Sequence, residues 1–369
     1  MYCKCSKAGG PQIMDSPRVA RPVNRTLKPV ESEPLIGETP DPALDSWLTP
    51  NSLFYIRNHF PIPDISDPQG TDWIVRIEGA VKNPGGLNFS DLLKFPKRAL
   101  AVTMECAGNN RTDLTPAVPG NQFESGAVST AIWTGIPLSE AIRSFETDDE
   151  VVELMFEGAD SGEPESGKRS QHYQRSLPKK VALSTDTILA FEMNGDPISV
   201  EHGGPLRLIV PGWYGMASVK WIHKITALTR PHEGYFQTYK YMFRSGENDE
   251  RPVSVMQVKS LITSPPDGTA LEGFSHCIGG FAWSGNAKID AVEVSTDKGT
   301  TWNPASFVGP SGNYSWRQWN FTWVNPDKGH HTIISRAKDK MGNIQPAKSN
   351  WNELGYEING TKSICLNVI

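Results

Sequence analysis

The sequence predicts an α+β protein in two parts, a mixed segment followed by an all-β one. Three observations carry this. The chain holds 33 glycines and 29 prolines in 369 residues and few long amphipathic stretches, which marks a loop-rich, strand-rich protein. Its apolar residues recur at period two in short runs. Its character changes near residue 250, after which strand and turn signals follow one another without helical spacing.

Taken in order, residues 1–45 are Pro-rich, polar and aperiodic, and read as an N-terminal arm. Residues 46–248 form the mixed part. "DWIVRIEGAV" places Trp73, Val75 and Ile77 on one face of a half-buried strand. "FSDLLKF" and "LSEAIRSF" predict short helices with Ser90 and Ser139 as caps. "GPLRLIVPG" is a buried strand stopped by Pro-Gly. The charged stretch "RSGENDERP", 244–252, is the expected boundary. Residues 249–369 form the all-β part. "IDAVEVSTDKGTTW" reads as two strands about a Lys298-Gly299 turn. "WRQWNFTW" aligns Trp319, Phe321 and Trp323. "HTIISRAKDKMGNIQP" is a strand and a turn. This predicts a β-sandwich.

Composition excludes several function classes. The net charge is −5, so no nucleic-acid partner is expected. No run approaches the roughly 20 apolar residues of a membrane span. Five cysteines at irregular spacing argue against a disulfide framework or a zinc ribbon. The opening residues lack an apolar signal-peptide core, so the expected compartment is the periplasm where a leader has been removed and the cytoplasm otherwise. Gly162-x4-Gly167-Lys168 resembles a phosphate loop, but Arg169 stands where Ser or Thr is needed. GxGxxG, HExxH and CxxCH are absent.

Chemistry concentrates at "VTMECAGNNR". An isolated cysteine is most often a small buried hydrophobe. Here, however, Cys106 stands where a strand meets a tight polar turn, and Arg111 follows to hold an anion or a thiolate. A nucleophilic thiolate needs a base, for which His59 or His202 is available. A soft thiolate also suits a metal held mainly by a cofactor.

The segments "FYIRNHFPIP", "MECAGNNR", "FEGAD", "AFEMNGDPI", "EHGGPLRLIVPG" and "GMASVKW" resemble, in order and spacing, the sulfite oxidase family of molybdopterin enzymes. So do "VKSLITSPPDG", "GGFAWSG", "VEVSTDKGTTW", "NIQP" and "WNELGY". The resemblance runs from about residue 50 to 360. It implies a molybdopterin-binding domain followed by an immunoglobulin-like dimerisation domain, and hence a homodimer. It places the single protein ligand to molybdenum on Cys106. It places pterin contacts on Tyr55, Ile56, Arg57, Asn58, His59, Asp160, His202, Arg207, Met216, Ala217, Ser218, Val219 and Lys220. Substrate-binding cations fall on Arg57 and Arg111. The active-site tyrosine falls on Tyr241 by ungapped counting, or on Tyr239 if a Tyr-Lys pair is aligned.

The implied reaction is oxygen-atom transfer that turns sulfite into sulfate. With neither CxxCH nor HPGG in this sequence, electrons are expected to leave to an external acceptor, a c-type cytochrome or dioxygen. Three departures bear on substrate. Asn110 replaces the first arginine of CAGNRR, Phe123 stands where many members carry tryptophan, and only Lys362 is cationic where some carry a C-terminal arginine. The resulting alternatives are a sulfane dehydrogenase, another oxyanion oxidoreductase such as a nitrate reductase and, from another class, an inactive structural dimer.

Overall fold

The computed structural model describes residues 26–246 and 249–369. Its helices are single turns, Phe89–Leu92, Leu138–Ala141, Lys179–Ala182 and Tyr235–Thr238, and strands do nearly all the work. Both predicted caps are displaced. Asn88 precedes the first helix and Pro137 the second, leaving Ser90 and Ser139 inside the first turns. Each helix starts directly from a strand end, so the strand fixes the entry and no serine is needed there.

Two five-stranded sheets build the mixed part. In one, Arg98–Glu105 pairs with Val128–Pro137, which pairs with Ile188–Met193, flanked by Asp196–Pro197 and Arg207–Ile209. In the other, the order is Gly85–Asn88, Ile74–Gly79, Ile222–Leu228, Glu153–Gly162, Gln171–Pro178. Only the pairing of Ile74–Gly79 with Ile222–Leu228 is parallel in that sheet. The period-two reading of the first strand holds: Val75 and Ile77 are buried while Ile74, Arg76 and Glu78 face out.

The second part is a sandwich of a four-stranded and a five-stranded sheet. Trp319 and Trp323 of Arg317–Val324 fill it, with Phe321 half-buried at the edge of the cluster. The expected Lys298-Gly299 turn is present, with left-handed backbone at both residues. The strand after it comes later, at Asn303–Pro304. Burial of such rings, at about 25 cal/mol per Å², dominates the stability of small β layers.

A hydrophobic cluster joins the two parts. It includes Phe156, Ile222 and Tyr241 from the first and Leu261, Phe281, Trp283 and Trp316 from the second. Around the expected boundary, Met242–Arg244 pairs antiparallel with Glu250–Pro252. The arm also packs more than its composition foretells. Lys28–Glu31 and Ile36–Glu38 form a hairpin, Ile36 is buried, and the Glu38 carboxylate accepts the N–H groups of Glu124 and Gly126. Among the described residues, no helix is long and apolar enough to cross a membrane.

Candidate active site

The strand Arg98–Glu105 ends at Cys106, and the loop beyond it is tightly held. The Cys106 N–H donates to Ala127 O at 2.8 Å, and Asn109 N–H donates to Cys106 O at 2.9 Å. Asn110 is left-handed with φ 66°, a conformation asparagine tolerates. A Cβ on Gly108 would lie 2.4 Å from Arg111 Nη2, so glycine alone lets the guanidinium fold back beneath the loop. Arg111 donates to Asn121 O at 2.7 Å and to Leu354 O at 3.1 Å.

Behind the loop lies a buried ion pair from the other part of the chain. Lys259 Nζ donates to Glu105 Oε1 and to Asn110 Oδ1, both at 2.7 Å. Glu105 also accepts from Trp283 Nε1 at 2.9 Å and Asn109 Nδ2 at 3.0 Å. Asn110 therefore points its amide at a buried lysine, which explains an asparagine here.

In front of Cys106 opens a cleft of about 620 Å³, part of it open to solvent. Tyr55, Arg57, Asn58 and His59 line it from the segment after the Asn51–Leu53 turn. Asp160 enters from a bulge in Glu153–Gly162. Arg207, Met216, Ser218, Val219 and Lys220 line another stretch, and Tyr241 completes it. Four of the predicted residues are not in the lining. Ile56 pairs its backbone with Gly37, Ala217 is buried in the Gly215–Ala217 turn, His202 bonds to Asn51 O at 3.0 Å, and Arg111 lies behind Tyr356. The two tyrosines separate cleanly. Tyr241 is 4% exposed in the cleft, whereas Tyr239 is 49% exposed at the surface. Phe123 is buried in the same apolar cluster as Cys106 but is not in the cleft lining, and Lys362 donates to Ser125.

The electrostatics are those of a receptor for anions. Arg207 is buried and Lys220 half-buried, and among the described residues neither forms an ion pair with a carboxylate. Lys220 Nζ donates to Asn58 Oδ1 at 2.6 Å and Glu201 O at 2.7 Å. Arg207 donates to the His202 and Ser218 carbonyls, and its Nε has no partner. Burial pushes Arg207 down to about 10 and Lys220 well below the usual lysine range. Burial also lowers His202 to about 3, so its ring is neutral. The Cys106 thiol is raised by burial, partly countered by Arg57 and by the Gly108 N–H. Two inward cations that form no ion pair among the described residues, beside a buried soft thiol, are a donor set that fits a phosphate-bearing cofactor with a thiophilic metal.

Burial raises Asp160 to about 7, with Lys220 pulling the other way. Its folded value exceeds the unfolded value of about 3.9, so folding favours the protonated form. Stability contributed by this group is then lost as pH rises from about 4 to 7. In cofactor-free protein the loss between pH 5 and 8 is expected to be about 2–3 kcal/mol. Asp160→Asn should remove that part of the slope in urea unfolding, and an unchanged slope would refute the assignment.

Several residues of the site had no role assigned from the sequence. Tyr173 stacks on His59 at 5.0 Å and donates to Met216 O at 2.8 Å. Tyr356 stacks on Tyr241 at 5.1 Å, with Arg111 over one ring and Arg175 over the other. Tyr173 and Arg175 alternate on Gln171–Pro178, where period two marks only an inward face. The one available signal was a buried-strand pattern containing an arginine.

Residues 59–236 match the oxidoreductase molybdopterin binding domain, and residues 250–361 match the Mo-co oxidoreductase dimerisation domain. With the fold and the cleft, this defines a molybdopterin-dependent oxidoreductase. Rat mitochondrial sulfite oxidase is 33% identical over 93% of this chain, which spans 65% of that protein's length. Arabidopsis thaliana sulfite oxidase is 31% identical over 90% of this chain and 92% of its own length. The sulfane dehydrogenase SoxCD of Paracoccus pantotrophus superimposes with a TM-score of 0.82 and 28% identity, covering 96% of this chain and 92% of that one. The chain belongs to the sulfite oxidase family.

Proposed function

We propose that this protein oxidises sulfite to sulfate and passes the electrons to an external one-electron acceptor, such as a c-type cytochrome. One observation carries the proposal: the Cys106 thiol shares a cleft with Arg57, Tyr241 and two further cations, Arg207 and Lys220, that form no ion pair with a carboxylate among the described residues. When bound, the molybdenum–pterin cofactor supplies oxygen-atom transfer and takes up electrons. Cys106 is the protein's ligand to the metal. Arg207 and Lys220 hold the cofactor's phosphate, with His202 neutral beside them. Asn58, His59, Asp160 and the Met216–Lys220 turn frame the pterin.

Arg57 draws the anionic substrate in. Its guanidinium donates to Asn58 O and is otherwise without a charged partner among the described residues. Arg111 adds positive charge from behind Tyr356. Tyr241 Oη is 2.6 Å from His59 Nε2. Burial lowers His59 well below its usual range and raises the Tyr241 hydroxyl, so both are neutral and can share one proton. Where His59 Nε2 is the donor, the Tyr241 hydroxyl proton is left to point into the cleft.

Steady-state reduction of a c-type cytochrome by sulfite tests this reading. Arg57→Gln removes a charge-assisted contact of roughly 1.5–3 kcal/mol, so KM should rise about tenfold or more with kcat less affected. Tyr241→Phe should lower kcat more than it raises KM. Molybdenum-replete protein that reduces no acceptor with sulfite would overturn the proposal. A second reading, oxidation of sulfane sulfur, is favoured by the Arg111 guanidinium being spent on Asn121 and Leu354 carbonyls. That leaves Arg57 as the lone arginine from the proposed substrate pair in the cleft lining.

The protein is further proposed to be a homodimer through residues 249–369, with 1–45 an arm and 46–248 the catalytic domain. The matched dimerisation domain supports this. Sedimentation at micromolar concentration should give twice the chain mass, and a monomer would refute it.

A further inference from the structure

Outside the cleft, three neighbouring strands bring two imidazoles and a carboxylate together. Glu157 lies on Glu153–Gly162, His172 on Gln171–Pro178 and His223 on Ile222–Leu228. One ligand atom from each falls within 4.8 Å of the other two. Strand irregularities create the cluster. Pairing shifts between Ile222 and Lys224 on one side, and between Glu157 and Ser161 on the other. In a regular strand, His223 and Lys224 would face opposite ways. The bulge lets both reach Glu157 Oε1, His223 Nε2 at 3.1 Å and Lys224 Nζ at 2.9 Å.

The donor atoms are prepared. His172 Nδ1 lies 3.2 Å from Asp160 O. A carbonyl only accepts, so Nδ1 carries the proton and the Nε2 lone pair is available, the arrangement found behind metal-bound histidines. His223 Nε2 is buried and makes no well-directed hydrogen bond despite its short distance to Glu157. Glu157 also accepts a hydrogen bond from Gln174 Nε2, which holds its carboxylate in place. The two imidazole rings are 5.0 Å apart and both half-buried, which leaves a path from solvent.

We propose that Glu157, His172 and His223 bind a divalent first-row transition cation. Zn²⁺ fits best, with three protein ligands and an open fourth position. The present occupant of Glu157 Oε1 is Lys224, whose Nζ also lies 3.8 Å from Glu78 Oε1. An arriving cation displaces Lys224 toward Glu78. Lys224 is thus a built-in competitor, and its charge sets the affinity.

The test uses the molybdenum-loaded enzyme after chelator treatment, titrated with Co²⁺ and Zn²⁺. The parent should take up one cation per chain, with visible Co²⁺ absorption bands and a rise in Tm. His172→Asn, at a half-buried position, should weaken binding at least about tenfold, as loss of a ligand does. Glu157→Gln should do the same. Lys224→Met should tighten binding several-fold, which a cluster without a metal role would not show. Three results would each overturn the proposal: a parent that binds no cation, binding that survives both His172→Asn and Glu157→Gln, or an affinity that Lys224→Met leaves unchanged.

Discussion

Cys106→Ser is expected to cut sulfite-dependent turnover by more than about a hundredfold, beyond the roughly 10–100-fold that outer-shell changes cost a metal site. Serine keeps the size and the backbone bonds to Ala127 and Asn109, so the loop should hold its shape. What changes is the donor. The Cys106 thiol is pushed up by burial, and a bound metal would make its thiolate the stable form. A buried serine hydroxyl resists deprotonation far more strongly and is a hard, weak ligand. The pterin should largely stay, because the hydrogen bonds that hold Arg207 and Lys220 run to other residues, the His202, Ser218 and Glu201 carbonyls and Asn58 Oδ1. Elemental analysis for molybdenum, pterin fluorescence after oxidation, and cytochrome reduction together read the outcome. Full molybdenum with near-parent turnover would remove Cys106 as the ligand.

Legibility in the sequence followed the range of the interactions. Period two was enough for Ile74–Gly79 and Arg317–Val324, since alternation is a local property of a strand. The turn at Lys298-Gly299 was equally local. Cys106 and Arg111 stood out because their loop is polar and glycine-bearing. The roles of Arg57, Asp160, Arg207 and Lys220 rested on family resemblance, since nothing in their own spacing joins them. Their convergence on one cleft requires the register of two sheets. Tyr173 and Arg175 showed only a buried-strand pattern, and Tyr356, though it ends the quoted segment WNELGY, had no assigned role, because a stacked ring and a packed ring look alike in a sequence. The caps at Ser90 and Ser139 failed because a strand end, not a serine, starts each helix. Lys259 was quoted within a family segment but had no assigned role. Its partner Glu105 lies 154 residues away, a separation no pattern spans.

Lys259→Met is expected to destabilise the protein by about 3–5 kcal/mol, the cost of leaving one member of a buried ion pair without its partner. Lys259 and Glu105 side chains are 6% and 2% exposed, so water cannot take the lysine's place. Glu105 would keep the Trp283 and Asn109 donors but lose its only cation within ion-pair distance among the described residues. Asn110 Oδ1 would lose a donor as well. Methionine fills similar space, so packing loss is small and the charge term is isolated. The effect should reach chemistry, because this pair ties the strand Lys259–Ser264 to the residue next to Cys106. A second tie, from Glu357 N–H to Ala107 O at 2.9 Å, holds the same loop from the C-terminal side. The all-β part is thus the back wall of the active site. We expect kcat to fall with KM less changed, because Arg57 lies outside this network. Combining Lys259→Met with Glu105→Gln removes both charges and should recover about 2 kcal/mol of the loss in denaturant unfolding, a coupling typical of neighbours in one network. Additive single effects, each below about 1 kcal/mol, would show that the pair is a bystander to both the fold and the cysteine loop.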